Sequence, residues 1–224
     1  MNPSDRIHPE AYTRRHHARP ERALIDAAGK FGTATLHEAA GKIGALPWQI
    51  KPVAPSFRLC GPAVPVHSPG GDNLWLHRAI YAAEPGDVLV VHVSGKYDHG
   101  YWGEIMSTAA RARKLGGLVI DGCVRDGGLL EKLGFPVFAR GLCIRGTGKD
   151  FGARGWINHP VLFGDVVVNA GDVIVGDDDG VVAIPQTQLV QVIAASQKRE
   201  DHEAETMRQL EAGKSTLDLY GWLP

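Results

Sequence analysis

The stretch Glu104-Ile105-Met106-Ser107-Thr108-Ala109-Ala110-Arg111-Ala112-Arg113-Lys114-Leu115-Gly116-Gly117-Leu118-Val119-Ile120-Asp121-Gly122-Cys123-Val124-Arg125-Asp126 reads as a helix, a glycine break, a short buried strand and a turn. A helix followed by a strand can fold back so that the helix start and the loop after the strand share one end of a domain. Glu104 and the pair Arg125-Asp126 then converge on one crevice. Two carboxylates and a guanidinium placed together make a plausible metal and oxyanion site.

The rest of the chain supports a mixed α/β domain. Three phrases, Gly86-Asp87-Val88-Leu89-Val90-Val91, Gly164-Asp165-Val166-Val167-Val168 and Gly171-Asp172-Val173-Ile174-Val175, each read as a tight turn feeding a well-buried strand. Only Asn169-Ala170 separates the last two, and Gly180-Val181-Val182-Ala183-Ile184 adds another strand after an acidic turn. The expected helices are Ala23–Phe31, a short one opened by the capping-box spacing of Thr35-Leu36-His37-Glu38, and one around Leu74–Ala83. Phe57–His67 has strand character interrupted at Gly61-Pro62. Pro185 suits the first turn of a long helix over Gln186–Ala212. Its second half, Ser196 to Thr206, has Ala204 as its one apolar residue, so it is a solvated face or an arm reaching a neighbouring subunit. The expected organisation is an N-terminal arm (1–19), an α/β domain (20–185), and a C-terminal helix and tail (186–224). Helices alternating with strands and then a strand-rich stretch fit helices packed on sheets. There is no dinucleotide fingerprint and no phosphate-binding loop.

Composition narrows the function. The 224 residues are 44% hydrophobic and 22% charged, with a formal net charge of −1, so nucleic acid and anionic membrane are not favoured partners. The N-terminus, Met1 to Arg6, lacks the apolar core of a signal peptide, and no stretch approaches a membrane span. Cys60, Cys123 and Cys143 are odd in number and widely spaced, which favours free thiols in a reducing compartment. A cytoplasmic location is expected.

Taken singly, the candidate residues have plainer readings beside the chemical ones. Asp126 suits a helix N-cap, Arg125 a surface ion pair, and Glu104 the first turn of a helix. Gly100-Tyr101-Trp102-Gly103 makes a poor helix start but a good wall for a small pocket. His99 and Asp98 read as solvated loop groups, and His37 as a core-edge residue. Gly71-Asp72-Asn73 is a turn whose N–H groups suit an anion. Gly146-Thr147-Gly148-Lys149-Asp150 reads as a surface loop.

Several of these segments together resemble one family. They are Phe31 to Glu38, Pro69 to Asn73, Gly100 to Glu104, Gly117 to Asp126, Gly134 to Val137, Asn169 to Gly180 and Leu217 to Gly221. From about residue 22 onward the chain resembles the class II pyruvate aldolases that cleave 4-hydroxy-4-methyl-2-oxoglutarate and 4-carboxy-4-hydroxy-2-oxoadipate. Those enzymes share a fold with the regulators of ribonuclease activity A. The resemblance implies an αββα sandwich assembled into trimers or hexamers with sites between subunits. It implies that Asp126 binds Mg²⁺ or Mn²⁺, and that Arg125 holds the pyruvyl carboxylate and keto oxygen. Glu104, where the family usually has Asp, positions or deprotonates a water. Backbone N–H groups around Ile105 and Met106 line the pyruvyl pocket, and Glu203 reaches the metal's outer shell from an adjacent subunit. Pyruvate would leave through a metal-stabilised enolate, with oxaloacetate decarboxylation as a second activity. Arg140, Arg145, Lys149 and His99 are candidates for the substrate's distal carboxylates. The alternative is a non-catalytic binding protein of the ribonuclease-regulator type, which the acid at 104 disfavours.

Overall fold

The computed structural model describes residues 8–15 and 17–223. Residues 1–7 and His16 of the expected N-terminal arm lie outside the described residues. The helices are α1 (Arg22–Ala28), α2 (Thr33–Ala39), α3 (Leu74–Ala82), α4 (Glu104–Ala112), α5 (Gly127–Leu133), α6 (Leu189–Glu211) and α7 (Thr216–Leu219). The strands are β1 (Lys51–Pro52), β2 (Leu59–His67), β3 (Val88–His92), β4 (Gly117–Asp121), β5 (Cys123–Val124), β6 (Val137–Ala139), β7 (Gly141–Leu142), β8 (Trp156–Ile157), β9 (Val161–Phe163), β10 (Val166–Val168), β11 (Val173–Asp177) and β12 (Gly180–Ile184).

The main sheet runs β1-β6-β4-β3-β2-β11-β12, with β8 paired to the end of β2. The block β6-β4-β3-β2 is parallel, and β2-β11-β12 is antiparallel. Lys51 on β1 donates its ammonium to the Asp179 carbonyl in the β11–β12 turn, so the two sheet edges curl toward each other. Side-chain alternation then sorts the two faces. Ile174, Val181 and Ala183 join the central core with the parallel strands, α3, α4 and α5. Val173, Val175, Val182 and Ile184 face outward into a second core with α1, α2 and α6. The result is the expected mixed α/β architecture, two sheet halves between helix layers, with a long C-terminal helix.

Several local expectations differ from the structure. α2 begins at Thr33, and Thr35 caps nothing. Asp177 caps it from the β11–β12 turn instead, accepting from Thr33 N at 2.8 Å and Thr33 Oγ1 at 2.6 Å. A tertiary carboxylate has displaced the local capping box. Gly61-Pro62 does not interrupt β2, because the absent Cβ at Gly61 admits the Gly86 carbonyl against the strand. The Val166–Val168 phrase is not well buried: it pairs with β9 in a separate hairpin, and Val167 is 54% exposed. Pro185 opens a turn and α6 starts at Leu189. In the second half of α6 only Ser196, at its start, and Thr206 are buried. The N-terminal arm is tied to the domain where it is described. Arg14 N donates to the Ile157 carbonyl at 3.1 Å, Asn158 Nδ2 donates to the Arg14 carbonyl at 2.9 Å, and Arg19 forks onto the buried Asp87. Among the described residues, no helix is long and apolar enough to cross a membrane.

Candidate active site

β4 and the turn after it deliver Arg125-Asp126 to the carboxyl end of the parallel strands, where open α/β sheets tend to bind ligands. The loop Tyr97–Gly103 runs alongside. Tyr101 N donates to the Cys123 carbonyl at 3.1 Å and Arg125 N to the Trp102 carbonyl at 2.9 Å. These bonds hold the start of α4 against Asp126.

Two glycines make that approach feasible. A Cβ at Gly103 would collide with Asp126 Oδ2 and lie 3.2 Å from Arg125 Cγ; one at Gly100 would collide with the Cys143 carbonyl. The aromatics between them are buried. Trp102 Nε1 donates to Ser107 Oγ at 2.6 Å, and Tyr101 Oη accepts from Gly71 N at 2.7 Å. Gly100-Tyr101-Trp102-Gly103 is therefore a rigid wall, as its composition suggests.

Asp126 occupies the N-cap position of α5 in the left-handed region, φ +64°, a conformation Asp tolerates better than most residues. Its side chain does not cap α5. Oδ2 crosses to α4 and accepts from Glu104 N at 3.1 Å, with Arg125 Nε 3.8 Å away. The first helical bond of α4 runs from Ser107 N to the Gly103 carbonyl, so the N–H groups of Ile105 and Met106 precede the ladder. Glu104, Ile105, Met106, Arg125 and Asp126 line one cavity of about 410 Å³. Glu203 does not line it: it sits on α6, paired with Arg199 at 2.8 Å.

The cavity also holds His77 and Leu129, to which sequence reasoning gave no role, together with Asn73, Thr147 and Lys149. Asn73 and His77 stand one turn apart on the α3 side, a spacing visible in the sequence. Asn73 Nδ2 donates to the Tyr101 carbonyl at 2.8 Å, while its buried Oδ1 has no hydrogen-bond partner among the described residues. Burial first, and Lys149 second, hold the His77 imidazole below its ordinary value.

The turn Gly71-Asp72-Asn73 is not an open anion cradle. Its N–H groups go to Tyr101 Oη, to the Pro69 carbonyl and to the Gly148 carbonyl. Nor is Gly146–Asp150 a plain surface loop. Gly148 N donates to the Gly71 carbonyl at 2.7 Å and Asp150 N to Asp72 Oδ2, which bring Lys149 to the cavity. Asp98 and His99 are not simply solvated either: Asp98 pairs with Arg145, and His99 is buried. Of the distal-carboxylate candidates, Arg140 is held by Asp121 and lies 4.0 Å over the Tyr97 ring, and Arg145 is held by Asp98. Lys149 lines the cavity with no ion-pair partner among the described residues.

Comparison with known proteins places this chain in a family. Residues 23–183 match the family model described as RraA-like, aldolase/RraA. A protein of Halalkalibacterium halodurans named "Putative 4-hydroxy-4-methyl-2-oxoglutarate aldolase" is 36% identical over 77% of this chain and 81% of its own length. An uncharacterized protein of Methanocaldococcus jannaschii is 35% identical over 76% and 82%. Among solved structures, an uncharacterized protein from Pseudomonas syringae superposes with a TM-score of 0.77 at 26% identity, covering 89% of this chain and 93% of that one. RraAS2 of Streptomyces coelicolor, described as an unusual member of the RNase ES inhibitor RraA family, shares the fold with a TM-score of 0.75 at 23% identity, over 86% and 99%. The chain belongs to the RraA-like aldolase/RraA family.

Proposed function

We propose that the protein is a divalent-metal-dependent lyase that cleaves a 4-hydroxy-2-oxo acid to release pyruvate, with oxaloacetate decarboxylation as a second activity. 4-Carboxy-4-hydroxy-2-oxoadipate and 4-hydroxy-4-methyl-2-oxoglutarate are the expected substrates. The observation that carries the reading is the meeting of Glu104, Arg125 and Asp126 at one cavity beside the free N–H groups at the start of α4.

The donor set fits Mg²⁺ or Mn²⁺. Among the described residues, no group of three or more His, Cys, Asp or Glu side chains could hold a metal. A hard ion that keeps most of its waters needs only one or two carboxylates plus substrate oxygens. Asp126 is a partly exposed carboxylate with one N–H bond, so it retains lone pairs for an ion. Glu104, and Glu203 of a neighbouring subunit, would act in the outer shell. When bound, the ion supplies Lewis-acid withdrawal of electron density from the keto oxygen.

The side chains divide the remaining work. Arg125 offers a planar fork to the pyruvyl carboxylate and keto oxygen, and its charge opposes the negative charge that develops there. The Ile105 and Met106 N–H groups complete that pocket with the positive end of α4. Glu104 removes the C4 hydroxyl proton, directly or through a water, as the C3–C4 bond breaks. Lys149 meets the distal carboxylate. His77 contributes hydrogen bonding from the α3 side.

A site shared between subunits is part of this reading. Ile105 in the cavity is 79% exposed, and Leu142 and Ile144, in an adjoining pocket that shares Arg125 and Asp126, are 62% and 95% exposed. The C-terminal arm exposes Met207, Trp222 and Leu223. Apolar surface at both places supports a trimer or hexamer in which one subunit's arm, carrying Glu203, closes another's cavity.

A coupled pyruvate-release assay with oxaloacetate and both hydroxy-oxo acids, with and without EDTA and Mg²⁺, tests the proposal. Metal-dependent pyruvate is the expected result. Its absence with every substrate would leave the non-catalytic regulator as the better reading.

A further inference from the structure

A second cavity, of about 370 Å³, lies between the N-terminal segment and the far side of α3. Arg14, His17, Arg78, Tyr81, Ile157 and Asn158 are among its lining residues. Its cations are unequally used. Arg15 pairs with Glu10 at 3.0 Å, and Arg19 is forked onto Asp87 with Glu84 at 3.6 Å. Arg14 and Arg78 have no carboxylate partner within ion-pair distance among the described residues. The acid that most influences Arg78 is Asp72, whose oxygens already accept from Leu74 N and Asp150 N.

The polar atoms of this cavity are also unsatisfied. Arg78 Nη1, both ring nitrogens of His17 and Asn158 Oδ1 are buried with no hydrogen-bond partner among the described residues. Most buried polar groups find partners, so four such atoms around one cavity mark a place where a ligand is missing. Arg78 is held in position, with its guanidinium 4.6 Å over the Trp75 ring. Tyr81, Ala82 and Ile157 add apolar surface to the lining.

We infer that this cavity is a second ligand site, for a small dicarboxylate whose two charged ends meet Arg78 on α3 and Arg14 on the N-terminal segment. Guanidinium forks match carboxylates bidentately. Two such cations on separate elements, in a cavity that also has apolar lining, suit a ligand charged at both ends better than a compact single anion. The site is distinct from the candidate active site but shares a helix with it: Asn73 and His77 face one cavity, Arg78, Tyr81 and Ala82 the other.

Isothermal titration with succinate, which has no 2-oxo group, tests the inference on the full chain. Saturable binding of one succinate per chain is expected, unchanged in Arg125→Ala. It should weaken about tenfold or more in Arg78→Gln and in Arg14→Gln, each of which removes a charge-assisted contact. Arg14 is exposed, so its substitution leaves the core intact. Propionate should bind at least about tenfold more weakly than succinate, since it can engage only one guanidinium. No saturable binding overturns the inference, as does binding that survives both arginine substitutions or disappears in Arg125→Ala. Equal affinity for propionate or inorganic phosphate overturns the two-ended ligand.

Discussion

Asp126 Oδ2 accepts the backbone N–H of Glu104 at 3.1 Å, so the turn after one strand caps the helix that precedes that strand. This bond fixes the Asp126 carboxylate against the start of the helix that carries Glu104. It also makes the site sensitive to small steric changes beneath it.

Gly103→Ala is the most direct probe of that bond. Its new methyl would push the Asp126 carboxylate aside while the buried Tyr101 and Trp102 just before it stay packed. Manganese binding followed by electron paramagnetic resonance should weaken about tenfold or more, as when groups that orient metal ligands are lost. Circular dichroism should be unchanged. Wild-type manganese affinity in the variant would contradict the proposed role of Asp126.

Arg125→Ala should lower kcat/KM for pyruvate release by about a hundredfold to a thousandfold, the scale of removing one preorganised stabiliser of developing charge. The side chain is half exposed, so the melting temperature should hold. A loss of less than about tenfold would refute its placement at the pyruvyl group.

Lys149→Ala separates the two ends of the substrate. KM for the hydroxy-oxo acids should rise about tenfold or more with a smaller change in kcat, because a charge-assisted contact made equally in ground and transition states is lost. Binding of pyruvate itself should be spared. If pyruvate binding weakens equally, Lys149 serves the pyruvyl end instead.

Asp177→Ala removes both bonds that start α2, and should cost about 1–2 kcal/mol in urea unfolding, the range for a lost helix cap. Thr35→Ala, the position that the local sequence marks as the cap, should cost less.

Acid stability has a specific source in His67. Burial, and then His92 beside it, hold this imidazole down to about 4 from an ordinary value of 6.5. The unfolded chain therefore takes up a proton at this position first as pH falls. Its contribution is fully present above about pH 6.5 and is lost progressively as the pH drops toward 4. Urea midpoints at pH 7 and pH 5 should differ more for the wild type than for His67→Gln. Equal differences would exclude His67 as the source.

Much of this was legible in the sequence because the informative signals are local. The helix-break-strand-turn reading of residues 104–126 needs only neighbouring residues, and it led to the cavity that the structure forms. What was not legible depends on distant partners. Nothing near Thr33 announces that Asp177 will cap its helix. Nothing in Gly146–Asp150 shows that two hydrogen bonds to the Gly71–Asp72 turn will carry Lys149 to the site. Exposure of Val167 follows from its pairing with β9 outside the main sheet, which composition does not encode.

The double allegiance of β2 carries a kinetic consequence. It pairs in parallel with β3, close behind it, and antiparallel with β11, where Leu59 meets Gly176. A nascent chain leaving the ribosome must therefore emit most of its length before one edge of β2 finds its neighbour. Until then that edge presents unpaired N–H and C=O groups, a template for wrong partners. Ordering by such sequence-distant contacts slows folding. The vulnerable interval of this protein's life is its synthesis, while β11 is still being made.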